Sequence, residues 1–132
     1  MTVRNVPLAE AGPLVRDVML TAPDTVPLTM TVRDARSLLD SPRLQMLLVA
    51  DGDRLVGAIA RERLEAEADA DLALGRLADP GSARIRPDAE VAQALEILEA
   101  SDSERLPVVG DGDRLLGLIC FNRRKRHFCL DG

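Results

Sequence analysis

Apolar positions along the chain follow two rhythms. Val91, Ala94, Leu95 and Leu98 stand at i, i+3, i+4 and i+7, a single stripe along a helix. Val32, Ala35, Leu38 and Leu39 predict an earlier helix, opened by Thr31 and Asp34 in the spacing of a capping box, with Asp in place of Glu. Between the helices, Leu44 to Val49 is a nearly continuous apolar run, the pattern of a buried strand. Asp51-Gly52 and Asp111-Gly112 each separate two apolar runs. They predict hairpin turns, because glycine accepts the positive φ that such turns need.

These elements occur twice. Asp51-Gly52-Asp53-Arg54-Leu55-Val56-Gly57-Ala58-Ile59 returns as Asp111-Gly112-Asp113-Arg114-Leu115-Leu116-Gly117-Leu118-Ile119. The helix stripe Val32, Ala35, Leu38, Leu39 returns as Val91, Ala94, Ile97, Leu98, a shift of 59 residues, while the turns are shifted by 60. One residue is therefore gained between helix and turn in the second copy. An internal repeat predicts one supersecondary unit used twice. Each copy reads as short strand, helix, strand, tight turn, strand, helix. The expected class is α/β (α+β): two pseudo-symmetric β-α-β-β-α units packed as one module, the first with its connector at 14–77, the second at 78–126, and a tail at 127–132.

Proline and glycine punctuate this order. Pro23 and Pro27 flank the first strand, Pro87 follows its counterpart, and Asp79-Pro80-Gly81-Ser82 reads as a turn opening the second copy. The connector from Arg61 to Leu77 predicts one or two helices. Its acidic residues Glu65, Glu67, Asp69 and Asp71 read as a solvated face.

Composition narrows the function. Apolar residues make up 46% and aromatics 2%, with no Trp or Tyr, so the core is expected to be Leu, Val, Ile and Ala. Few flat aromatic faces and a net charge of −5 argue against nucleic acid as a partner. No apolar run is long enough to span a membrane, and Met-Thr-Val-Arg-Asn does not open a signal peptide, so a cytoplasmic location is expected. A single His and the absence of a glycine-rich phosphate loop argue against an enzyme. No cofactor is expected.

Val18-Met19, the Val32/Ala35/Leu39 helix and the hairpin from Gly52 to Ile59, with Leu106-Pro107-Val108-Val109 and Gly112 to Ile119 in the second copy, resemble the tandem CBS (cystathionine-β-synthase) domain, or Bateman module. The resemblance covers about residues 14 to 126. It implies a regulatory module that senses an adenosine nucleotide or a related ligand in a cleft and passes the signal to an enzyme, channel or transporter; because the chain ends with the module, that protein effector is expected to act in trans. It also implies pairing into a disc-like homodimer. Cleft positions implied by the resemblance are Thr21, Ala22, Met46, Leu47, Ala58 and Arg61 for one copy, and Ala83, Leu106, Leu118 and Arg123 for the other.

The chain departs from the family where nucleotide-binding copies carry Gly-x-x-Thr-x-x-Asp, whose Asp accepts from the ribose hydroxyls. Ala60 and Arg63 stand there in copy one, Cys120 and Arg123 in copy two. Arginine has donors only and cannot accept from a diol. Weak or absent nucleotide binding is expected. Arg61, Arg63, Arg123 and Arg124 offer positive charge in exchange, as an anion site or as surface paired with Glu62, Glu65 and Glu67. Two other classes stay open: an interaction module with vestigial clefts, and a redox or metal-responsive switch.

The run Asn122-Arg123-Arg124-Lys125-Arg126-His127 reads as the polar face of the second copy's last helix, facing the acidic connector. Cys120, His127 and Cys129 are too few for a structural zinc site within one chain. The plain reading places Cys120 at the end of a buried strand and Cys129 against Phe128. A Cys120–Cys129 disulfide needs the tail to fold back. The helix leucines Leu38, Leu64, Leu72, Leu74 and Leu98 are candidates for a homodimer face.

Overall fold

The computed structural model describes residues 3–42 and 44–131. In chain order the strands are β1 (Val3–Pro7), β2 (Met19–Thr21), β3 (Val26–Pro27), β4 (Met46–Asp51), β5 (Arg54–Ala60), β6 (Arg105–Val109), β7 (Leu115–Asn122) and β8 (His127–Asp131). The helices are α1 (Val32–Arg36), α2 (Arg61–Ala66), α3 (Leu74–Leu77) and α4 (Val91–Ala100). The chain forms two compact units, one of residues 24–82 and one of residues 1–23 with 83–132.

The 24–82 unit holds a three-stranded sheet, β3-β4-β5, with β3 parallel to β4 and β4 antiparallel to β5. Thr31 opens α1 as expected, its hydroxyl accepting the Asp34 amide at 3.2 Å. The core is Val26, Val32, Ala35, Leu47, Val49, Ile59, Leu64, Leu74, Leu77 and Ala78. The connector supplies both α2 and α3.

The other unit repeats the central strand pairing of this plan. Val26 faces Val49 across a parallel pair, and Ile85 faces Val108 in the same way. The β4–β5 ladder shifts register between Val49 and Ala50, and β6–β7 between Val108 and Val109. Ladder partners before the shift correspond throughout: Met46–Ala60 and Arg105–Cys120, Leu47–Ile59 and Leu106–Ile119, Val49–Gly57 and Val108–Gly117. The gained residue is thereby located at Gly110, between strand and turn. Gly52 and Gly112 hold the turns at φ 64° and 65°, where a side chain is strained.

The repeat reaches further upstream than the sequence reading placed it. Val15 N donates to Ala89 O, Arg16 N to Pro87 O and Val91 N to Pro13 O. In the same geometry Leu74 N donates to Met30 O, Gly75 N to Leu28 O and Val32 N to Leu72 O. β2 pairs antiparallel with β7, and Asp79 bridges Ala58 likewise. Each sheet is thus edged by the segment that precedes the other copy in sequence. Residues 14–23 consequently lie in the compact unit of the second copy, and 73–82 in that of the first.

Two expectations need correction. The second copy does not end in a helix. β7 turns at residues 123–126 and returns as β8, which pairs with β7 and β1 to extend this unit to five strands. The turn is closed by Asn122, whose carbonyl accepts the Arg126 amide at 2.7 Å and whose Oδ1 accepts the Lys125 amide at 2.9 Å, with Arg126 at φ 56°. What overrides the helical reading is alternation: Phe128 and Leu130 are buried on one face of β8. The core is also not purely aliphatic. Phe121 and Phe128 are both buried, with ring centroids 4.7 Å apart, and join Val15, Val18, Leu98, Leu106 and Ile119.

Leu64, Leu74 and Leu98 are fully buried within their own units. They cannot form a dimer face, because each already fills a core. Leu72 packs against the 24–82 core, and Leu38, 40% exposed, is the one large apolar side chain left open among the described residues.

Candidate ligand site

The 24–82 unit carries a cleft of about 380 Å³ lined by Asp24, Thr25, Val26, Leu38, Ser41, Leu44, Met46, Leu47 and Leu48. Val26 of β3 and Met46, Leu47 and Leu48 of β4 give it apolar walls, and Thr25 and Ser41 add hydroxyls. Asp24 is the charged group among the described residues that line it. This volume is within the usual range of small-molecule sites, about 300–1,000 Å³.

Of the implied cleft positions, the cleft gathers Met46 and Leu47. Ala58 is buried on β5 and its amide donates to Ser82 Oγ at 3.1 Å. Thr21 and Ala22 are exposed, belong to the other compact unit, and Ala22 is held at φ 48°. Leu106 is buried opposite Ile119, Leu118 is half-buried between Leu20 and Pro107, and Ala83 is exposed. Asp24 and Thr25 were missed by sequence reasoning. The signal lay in the repeat, where Asp24 is the counterpart of Ala83.

Arg61 and Arg63 are both engaged within their own unit. The Arg61 guanidinium donates to Leu39 O at 2.7 Å, Ser41 O at 3.0 Å and Leu44 O at 3.1 Å, and lies 3.6 Å from Glu65. It caps the carbonyl end of the 3-10 turn Ser37–Asp40 that follows α1 and holds Ser41 and Leu44 in the wall of the cleft. Arg36 answers it by donating to the carbonyls of Leu64, Glu65 and Glu67 at the end of α2. Cationic side chains suit helix C-termini, where carbonyls lack intrahelical partners. Each arginine thus caps the other's helix. Hydrogen bonds from a charged donor contribute about 1.5–3 kcal/mol. Arg61→Met is expected to destabilise the chain by about that amount in urea unfolding, and to loosen the cleft wall.

Arg63 pairs with Glu67 at 3.1 Å, and Asp71 with Arg33 at 3.0 Å, so much of the connector's acidic face is ion-paired within its own unit. Arg123 pairs with Asp102 at 2.6 Å, and its amide donates to Glu104 Oε2 at 2.7 Å. The basic turn is therefore matched by carboxylates after α4, not by the connector. Its groove, about 630 Å³, is walled by acids at 99, 102 and 104 and by arginines at 123, 124 and 126, over Leu95, Leu98 and Phe121. Arg126 stands 5.9 Å from the Phe121 ring centroid, a cation–π distance.

Ala60 is the residue before the first turn of α2 and offers no side-chain cap. Arg63 lies on the exposed side of that helix. Cys120 occupies the equivalent place in β7, and Arg123 opens the turn. Among the described residues no cluster of three or more His, Cys, Asp or Glu groups is placed to hold a metal ion, and no helix is long and apolar enough to cross a membrane.

A doubled α+β unit with this strand order and a small cleft beside its parallel strand pair defines the class. The chain belongs to the CBS-domain family: the model of the CBS domain matches residues 15–66 and again 76–122. Inosine-5'-monophosphate dehydrogenase of Methanocaldococcus jannaschii is 31% identical over 107 residues, 80% of this chain but 21% of that enzyme, so the chain spans about a fifth of its length. The crystal structure of CBSX2 in complex with AMP is similar with a TM-score of 0.73 and 25% identity, covering 83% of this chain and 90% of that one. The cytosolic domain of the Mg2+ channel MgtE in complex with ATP gives 0.70 and 23%, covering 86% and 48%.

Proposed function

We propose that the chain is a non-catalytic regulatory module that binds a nucleoside-type ligand in the 24–48 cleft and signals its presence to a partner protein. The observation that carries this reading is the cleft itself: an apolar floor for a flat base, hydroxyls at Thr25 and Ser41, and one carboxylate, Asp24, able to accept from a ribose diol. Complexes of family relatives with AMP and ATP supply the ligand class. The phosphate is the part this chain does not favour. Arg61 spends its donors on carbonyls, and Arg63 is held by Glu67. A phosphate charge about 6 Å from Asp24 is repelled by roughly 3 kcal/mol at an effective dielectric near 20.

Calorimetry on the whole chain with adenosine, AMP and ATP tests this. Adenosine is expected to bind, with AMP and ATP at least roughly tenfold weaker. AMP or ATP binding more tightly than adenosine would contradict the assignment. The second reading, an interaction or dimerisation module with vestigial clefts, is favoured by the loss of the polar pair at Ala60, Arg63, Cys120 and Arg123. It predicts no heat with any of the three ligands. A homodimer is compatible with either reading and would be seen by sedimentation.

A further inference from the structure

We propose that Cys120 and Cys129 are a reversible dithiol–disulfide pair that staples the C-terminal strand β8 to β7. The fold-back that such a bond needs is supplied by the β7–β8 hairpin. Phe121 lies opposite Phe128 and Asn122 opposite His127, so one further step of the register sets Cys120 opposite Cys129. Directly opposed residues on antiparallel strands lie on the same face with Cβ atoms about 4.5–5.5 Å apart. A disulfide needs about 3.5–4.5 Å, a small closing movement. This corrects the expectation that Cys129 packs on Phe128: adjacent strand residues point to opposite faces, and Cys129 shares its face with Cys120. Both thiols are free, Cys120 buried and Cys129 half-buried.

The surroundings divide the labour between the two sulfurs. The thiols share a hydrogen bond, and Arg105, opposite Cys120 on β6, adds positive charge. Both effects lower the Cys129 pKa, to about 7, whereas the bond to Cys129 and burial raise that of Cys120. Cys129, the thiol that solvent reaches, is the attacking thiolate, and the direction of its shift agrees. The pair also stands at a fork. Along one edge of β7, residues 117–119 pair with β2 and residues 121–122 pair with β8. A bond between residues 120 and 129 would fix β8 at the point where it yields to β2, and would close the loop carrying the basic turn of the Arg123–Arg126 groove.

The oxidant is a low-molecular-weight disulfide. Cys129 thiolate attacks one of its sulfurs, breaking that S–S bond and expelling one thiolate, to give a mixed disulfide. Cys120 then loses its proton and attacks the Cys129 sulfur, expelling the second thiolate. The two protein thiols are oxidised to one disulfide, and the small disulfide is reduced to two thiols.

The test is to treat the folded, reduced chain with oxidised glutathione and follow it by intact-mass spectrometry with thiol counting. The expected product has lost two hydrogens and both free thiols, carries no glutathione, and reverts with dithiothreitol. Cys120→Ser is expected to stall as a glutathione adduct on Cys129, and Cys129→Ser to stay unmodified. A stable adduct on the wild-type chain, disulfide-linked dimers, or two thiols that persist would each overturn the proposal.

Discussion

Replacing Gly57 or Gly117 by alanine is expected to be among the most damaging single changes in this chain. Both belong to the repeated Leu-x-Gly-x-Ile strand, and the structure shows why. A Cβ on Gly57 would run into the backbone carbonyl of Asp79, and one on Gly117 would sit 2.6 Å from Leu20 O and 2.7 Å from Met19 Sδ. In each case the obstacle includes the backbone of the segment that edges the sheet, which cannot move aside as a side-chain end can. Overpacking costs about 1–3 kcal/mol where neighbours can yield, and these sites should lie at the upper end or beyond it. Such a loss lowers Tm by roughly 10 °C. Gly52 and Gly112 are the controls. Nothing lies within 4 Å of a Cβ there, and only their positive φ resists a side chain, at about 1–2 kcal/mol. Thermal and urea unfolding of the four alanine variants should therefore rank 57 and 117 well below 52 and 112. Equal losses would mean that the edge strands are not packed against these glycines.

Phe128→Ala is the second large effect. Phe128 is fully buried in the core of its unit, with its ring centroid 4.7 Å from that of Phe121. Truncating a buried Phe costs about 3–5 kcal/mol, the lost transfer energy plus the cavity. Because β8 is held by β7 on one side and β1 on the other, amide exchange should accelerate first in residues 3–7 and 127–131. Phe128→Leu should recover much of the loss. A variant as stable as the parent would contradict the assignment of β8 to the core.

These two cases also show what the sequence made legible. The repeat, the hairpin turns and the strand–helix–strand order followed from Asp-Gly spacing and helical periodicity, because both signals are local. The exchange of edge segments did not. Met19–Thr21 and Asp79 are too short to show a period, and their partners are distant in sequence. The last helix was misread for a different reason. Arg123 to Arg126 has the polarity of a helix face, and it masked the alternation that begins at Phe128. At the candidate site, Met46 and Leu47 were legible from the apolar run of β4. Asp24 and Thr25 were not, since a polar pair beside a proline reads as loop until the repeat is extended to it. The arginines were visible as charges, but their carbonyl partners could be found only in three dimensions.

Amide chemical-shift mapping during a titration with adenosine tests whether the 24–48 cleft takes a nucleoside-type ligand. Shifts should cluster at Asp24–Val26, Leu38–Ser41 and Leu44–Leu48 and saturate together, and Asp24→Asn should weaken the binding severalfold. No perturbation at millimolar adenosine, or shifts confined to residues 95–126, would contradict it.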